Sequence, residues 1–156
     1  MADTGLVDAA VMEVLANDAA LRALCPEGVF WGRAPQGATA FVIVALFDAL
    51  DTPALAGDTL YERTVYLVKA VILDSSKTPS RTAAARVHVL LHGVVLDLTP
   101  AAYVALNCRR LERVAYVEID PVNSATWHHA GGQYELLSYP APLPARERIR
   151  HGATSR

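Results

Sequence analysis

Seven consecutive apolar residues, Phe41–Phe47 ("FVIVALF"), constrain this chain more than any other stretch. A run without polar alternation has no solvent face of its own. Its shortness and its Val, Ile and Phe content favour an extended backbone, so it reads as a β-strand buried on both faces. Such a strand needs neighbours beside it and covering layers above and below, and the rest of the chain has to supply them.

Residues 4–24 supply a helix. Val7, Ala10, Val11, Val14 and Leu15 recur at helical spacing, Asp3 or Thr4 can cap the start, and Asn17-Asp18 breaks the run, with Asp18 as cap of a short second piece, "AALRAL". Pro26 and Gly28 end it. "GVFW" (28–31) is a short strand and residues 32–39 a loop. Residues 48–60, rich in acid, Pro and Gly, read as a second loop, and 61–74 as a long strand. On that strand Tyr66, Val68, Ala70 and Ile72 line one face, while Val65, Leu67, Lys69 and Val71 line the other. The clearest helix has Thr78 as N-cap, Pro79 at its first position and Gly93 at its close. "VVLDL" (94–98) is a short strand or helix exit. Residues 102–120 form a long strand bent or bulged near Arg109–Arg110, 121–126 a turn-rich tip, and Gln133–Tyr139 a returning strand. The order implies a single α+β domain over residues 1–139, with two helices packed on a mixed, largely antiparallel sheet. Residues 140–156, with three prolines and four arginines, read as a flexible tail or a docking arm.

The chain has 156 residues, enough for one domain with a real core, and 53% of them are apolar. That excess, largely Ala and Val, suits a subunit that buries surface against copies of itself. Net charge is −2, which argues against generic nucleic-acid binding, but residues 1–60 carry eight acids against two arginines and residues 61–156 eight acids against twelve bases. A polarised subunit of this kind can pack its acidic half on the basic half of a neighbour in a ring; chance plus a basic tail is the plainer account. Cys25 and Cys108 lie in no CxxC pair and read as buried thiols of a reducing compartment. No signal peptide or membrane span is expected.

Few residues carry chemistry. His88 and His92 stand at zinc-compatible helical spacing, yet no glutamate follows His88, and the helical wheel turns His92 away from the apolar stripe. His128 and His129 in "WHHAGGQYELL" would point to opposite faces of a strand. Gly131-Gly132 fits a bulge or the close approach of another backbone, since no phosphate-loop or nucleophile-elbow motif occurs. Asp48, Asp51, Asp58 and Glu62 form a solvated acidic loop. Arg109, Arg110 and Arg113 suit a phosphate patch, salt bridges to another subunit or plain exposure, with Arg109 and Arg113 sharing a face in a regular strand. Arg146, Arg148 and Arg150 alternate with Glu147 and suit an acidic partner or nothing specific. No catalytic set, cofactor site or metal site is expected.

The run "VLANDAALRALCPEGVFWGRAPQGATAFVIV" resembles the opening of the tail terminator (tail completion) proteins of long-tailed bacteriophages and gene-transfer particles. Asp18–Leu21 and Ala23-Leu24 match that family's first helix ending; Val29, Ala34–Ala38 and Phe41–Val44 match its "VYxGxAPQGAxxPYVVI" region. Val65–Asp74, Arg81–His92, Asp120-Pro121 and His128 or His129 follow the family's later order, so the likeness spans most of residues 10–139. "APQG" is its most particular element. Ala45 stands where the family usually has a glycine, the middle strand lacks the common tryptophan, and the C-terminal tail is extra. The resemblance implies a structural virion protein that forms a ring, usually six-fold, at the head-proximal end of the tail tube. Such a ring terminates tube polymerisation, meets the major tail tube protein and a head-completion or connector protein, and lets DNA pass without sequence-specific binding. Asp48, Asp51, Asp58, Arg109, Arg110, Arg113, His128, His129, Arg146 and Arg148 then become candidate subunit or partner contacts, with no membrane involved. Another neck ring protein is the alternative. A small ligand-binding or hydrolytic domain using His128 and His129 is a third reading.

Overall fold

Strand β2 (Ala40–Pro53) starts at the apolar run and continues well past it. In the computed structural model, which describes residues 4–53 and 59–141, the other elements follow in the order α1 (Thr4–Ala16), α2 (Ala19–Leu24), β1 (Val29–Trp31), β2, β3 (Thr59–Leu73), α3 (Thr78–Leu91), a 3-10 turn (Thr99–Ala101), β4 (Tyr103–Ile119) and β5 (Thr126–Pro140). The strands form one sheet in the order β1-β2-β3-β5-β4. β1 runs parallel to β2 and every other neighbouring pair is antiparallel, so this is the mixed α+β sheet that the pattern implied.

All three helices contribute to the core on one face. Val7, Val11 and Leu15 of α1, Leu21 of α2, and Ala83, Val87 and Leu91 of α3 meet Val42, Val44, Tyr66, Val68, Ala70 and Ile72 of the sheet, with Tyr134 and Leu136 of β5. Each fully buried Val or Leu contributes about 1.5–3 kcal/mol. The alternation expected for residues 61–74 is what the core uses. A smaller cluster of Phe41, Ile43 and Val71 lies on the opposite face, covered by Phe30, Trp127 and the loop residues Ala34 and Ala38. The apolar run is thus covered on both faces only from Phe41 to Val44. Leu46 and Phe47 are 41% and 61% exposed, and the register shifts at Phe47, a β-bulge.

Several expectations change. The acidic segment is not a loop throughout: β2 extends to Pro53 and β3 begins at Thr59, so Asp48 and Asp51 are strand residues. Composition misled because each strand supplies the other's ladder hydrogen bonds through antiparallel pairing, whatever its propensity. Thr78 is the first residue of α3 rather than its cap; Lys77 precedes it without a capping side-chain bond. The 94–98 segment is irregular and leads into the 3-10 turn. β5 begins at Thr126, seven residues before Gln133. The break at Asn17-Asp18 is present, and Asp18 Oδ1 accepts from Leu21 N at 2.7 Å as the cap of α2.

β3 pairs with β5 from Glu62↔Ser138 to Leu73↔Trp127. The end at which β2 finishes and β3 begins therefore lies opposite the end at which β4 finishes and β5 begins. Both hairpins carry exposed apolar side chains: Phe47, Leu50 and Leu60 on the first, Val117, Ile119 and Val122 on the second.

Candidate functional site

"WHHAGGQYELL" forms most of β5, the strand held between β3 and β4. A Cβ on Gly131 would stand 2.6 Å from Lys69 Cα and closer still to the Val68 carbonyl oxygen. A Cβ on Gly132 would stand 2.5 Å from the Glu112 carbonyl oxygen and 2.7 Å from Arg110 Cδ. Two glycines therefore let both neighbouring strands close on this one, the backbone approach anticipated from their pairing.

The histidines beside them diverge, as strand geometry requires. His128 lies opposite Ile72 and Val117 on the helix-covered face, is buried, and neither ring nitrogen has a hydrogen-bond partner. His129 lies on the other face with its ring stacked on Tyr116 at 4.3 Å. The Glu118 carboxylate stands 3.3 Å from its Nε2, out of line for a hydrogen bond. Burial, then Lys69, lowers the His129 pKa against the opposing pull of Glu118, so the ring is neutral at pH 7. Among the described residues no group of three or more His, Cys, Asp or Glu could hold a metal ion. His88 and His92 stack on each other with centroids 4.5 Å apart. His92, one residue past the end of α3, is exposed and off the buried stripe, as the helical wheel expected, and its Nδ1 accepts from the Arg110 backbone N–H at 3.0 Å.

Charges form two separate sets. On the face away from the helices, Asp48 pairs with Arg63 at 3.0 Å, Arg63 pairs with Glu135, and Arg109 pairs with Glu135 at 2.8 Å. This chain crosses all four long strands. Burial pushes the Glu135 carboxyl up, but hydrogen bonds and charge from Arg63 and Arg109 outweigh it and hold the pKa below the ordinary value. Asp48 and Arg109 each form an ion pair within this chain while their side chains stay more than half exposed.

Arg110 and Arg113 face the other way. A bulge at Leu111 shifts the register between Arg110↔Tyr134 and Glu112↔Gln133. Arg113 therefore shares the helix face with Arg110 and not, as a regular strand would have it, with Arg109. Together with Arg81 and His88 of α3 they rim a cavity of about 500 Å³ whose walls include Ala84, Ala85, Val89, Ala115 and Ala130. Burial, followed by the charges of Arg110, His92 and Arg113, lowers the His88 pKa. A second cavity, about 390 Å³, lies on the opposite face between Phe41, Trp127, Lys69 and His129. Asp51 is exposed on the β2–β3 hairpin, and Asp58, Arg146 and Arg148 lie outside the described residues.

Sequence reasoning missed the Glu135 network, because its members lie far apart in the chain and meet only through strand pairing. It also missed Arg86, whose Nε and guanidinium NH2 group donate to Asp18 at 2.9 and 2.5 Å. An arginine one turn from the buried stripe of α3 was the only available signal.

A chain of the solved structure described as "Virion of native gene transfer agent (GTA) particle" has a similar fold. The TM-score is 0.66 at 20% identity, and the match covers 86% of this chain and 96% of that one. No protein-family model matches the chain. No curated protein matches it either.

Proposed function

We propose that this chain is a structural virion subunit that closes the head-proximal end of a tail tube as a ring, six-fold on the family resemblance, and joins the tube to the head connector. The observation that carries this reading is the fold shared with a chain of a gene-transfer-agent virion across nearly the full length of both. The sequence resemblance to tail terminators adds the finer assignment. Physical support comes from the hairpins, where Phe47, Leu50, Ile119 and Val122 are all more than half exposed. Apolar side chains collected at two opposite tips are what a subunit with neighbours on both sides presents. The protein works by its surfaces, with DNA passing through the ring and no chemistry performed.

Light scattering coupled to size exclusion, followed by negative-stain imaging with purified tail tubes, tests this. Closed rings that cap tube ends are the expected result. A strict monomer at high concentration that ignores tube ends refutes it, and binding to portal complexes in place of tubes reassigns the ring to another position in the neck. Phe47→Ser with Leu50→Ser should abolish rings while lowering the thermal midpoint of the monomer only modestly, since both side chains are more than half exposed.

A further inference from the structure

We propose that the basic groove between α3 and β4 seats the β2–β3 hairpin of a second copy of this chain. The inference rests on the ring reading and adds which two surfaces meet. Arg81, Arg110 and Arg113 converge on the groove, and none forms an ion pair with a carboxylate among the described residues. Three guanidinium groups beside a wall of alanine and valine suit an anionic, partly apolar guest.

The hairpin has that chemistry. Phe47, Leu50 and Leu60 are 61%, 59% and 58% exposed. Asp51 lies directly across the ladder from Glu62, so two carboxylates oppose each other. Glu62 is buried and takes a hydrogen bond from Tyr103 at 2.6 Å, whereas Asp51 is exposed and forms no ion pair among the described residues. Like charges opposite one another in a ladder destabilise it, and a guanidinium from outside relieves them.

Geometry makes the contact intermolecular. Asp51 of the hairpin lies at the level of Glu62 of β3, while Arg110 and Arg113 of the groove lie at the levels of Tyr66 and Val68, through Tyr134 and Gly132 of β5. Four to six residues of strand, roughly 13–20 Å, and two intervening strands separate them within one sheet. Strand ends of one copy that fit a groove farther along the sheet of another give a head-to-tail contact, the kind that builds rings rather than symmetric pairs.

Cysteine cross-linking tests the contact. Leu50→Cys and Ala85→Cys both replace exposed side chains. The native thiols of Cys25 and Cys108 are buried, with pKa values pushed up to about 11 and about 12, and stay silent at neutral pH. A short bis-maleimide should join Leu50→Cys chains to Ala85→Cys chains in mixtures. A chain carrying both should yield a ladder that ends at the ring number. Asp51→Arg and Arg113→Glu should each lower the yield about tenfold, and their combination should restore it. Rings seen by light scattering without this cross-link overturn the contact and leave the ring reading intact. Monomers throughout overturn both. Cross-linking of Leu50→Cys to itself assigns the hairpin to a symmetric pair and also overturns the proposal. So does a labelled DNA duplex that binds native rings and is lost on Arg110→Glu with the rings preserved, which gives the groove to phosphate.

Discussion

Adding one methyl group to Gly131 should cost about as much stability as truncating a buried core side chain. The new Cβ would stand 2.6 Å from Lys69 Cα and nearer still to the Val68 carbonyl oxygen. Both are backbone atoms of the neighbouring strand, so no rotamer change can relieve the contact. An ordinary carbon–oxygen approach is about 3.3–3.6 Å. β3 and β5 would have to separate by about an ångström at Lys69↔Gly131, which strains the hydrogen bonds on both sides of that pair. Overpacking a well-packed site costs roughly 1–3 kcal/mol when side chains can yield. With backbone on the far side, about 3 kcal/mol or slightly more is expected, a fall in melting temperature of roughly 6–12 °C for a chain of this length. Gly132→Ala should cost less, because one of its two close neighbours is the flexible Arg110 side chain. Urea denaturation followed by circular dichroism, with unchanged slope m, measures both. A Gly131→Ala protein within about 0.5 kcal/mol of the parent, a surface-like effect, would refute the close-approach reading of this glycine pair.

Other perturbations separate local terms. Asp18 is held at about 2 by Arg86 first and the Leu21 amide next, against a burial that raises it. Its folded pKa is depressed, so the stabilisation is complete above about pH 4 and lost as pH falls toward 2. Asp18→Asn keeps a capping oxygen but not the charge; its destabilisation at pH 7 should shrink to a small remainder in urea titrations at pH 2, whereas Asp18→Ala should retain about 1 kcal/mol of lost capping. Glu135→Gln leaves Arg63 and Arg109 without their shared buried carboxylate and should cost about 1–3 kcal/mol in thermal unfolding. That cost should shrink below the usual carboxylate range, because the Glu135 pKa is lowered in the fold. Finally, Cys25 and Cys108 should resist a thiol reagent at pH 8 until urea unfolds the chain; rapid labelling of the native protein would contradict their burial.

Residues 61–74, the short α2 with its Asp18 cap, and α3 up to Gly93 were legible in the chain because their signals are local. Periodicity reports which side chains share a face, a cap needs one oxygen at the right place, and the φ of +75° at Gly93 suits a residue without Cβ. The candidate contacts were legible as residue types only. His128 and His129 do part to opposite faces, a consequence of the two-residue strand period alone. The grouping of the arginines failed because one extra residue at Leu111 inverts every face after it, and a bulge depends on the partner strand's register.

The same division explains the opening run and the loop after it. Seven apolar residues determined that this segment is extended and mostly buried. Where the cover stops, after Val44, was decided by how far the helices and the 32–39 loop reach across the sheet. That is a property of the packed layers, and it leaves Leu46 and Phe47 apolar and uncovered. Local pattern sets what a residue can do; the lengths and offsets of elements distant in sequence decide which ones meet water, one another or a neighbour.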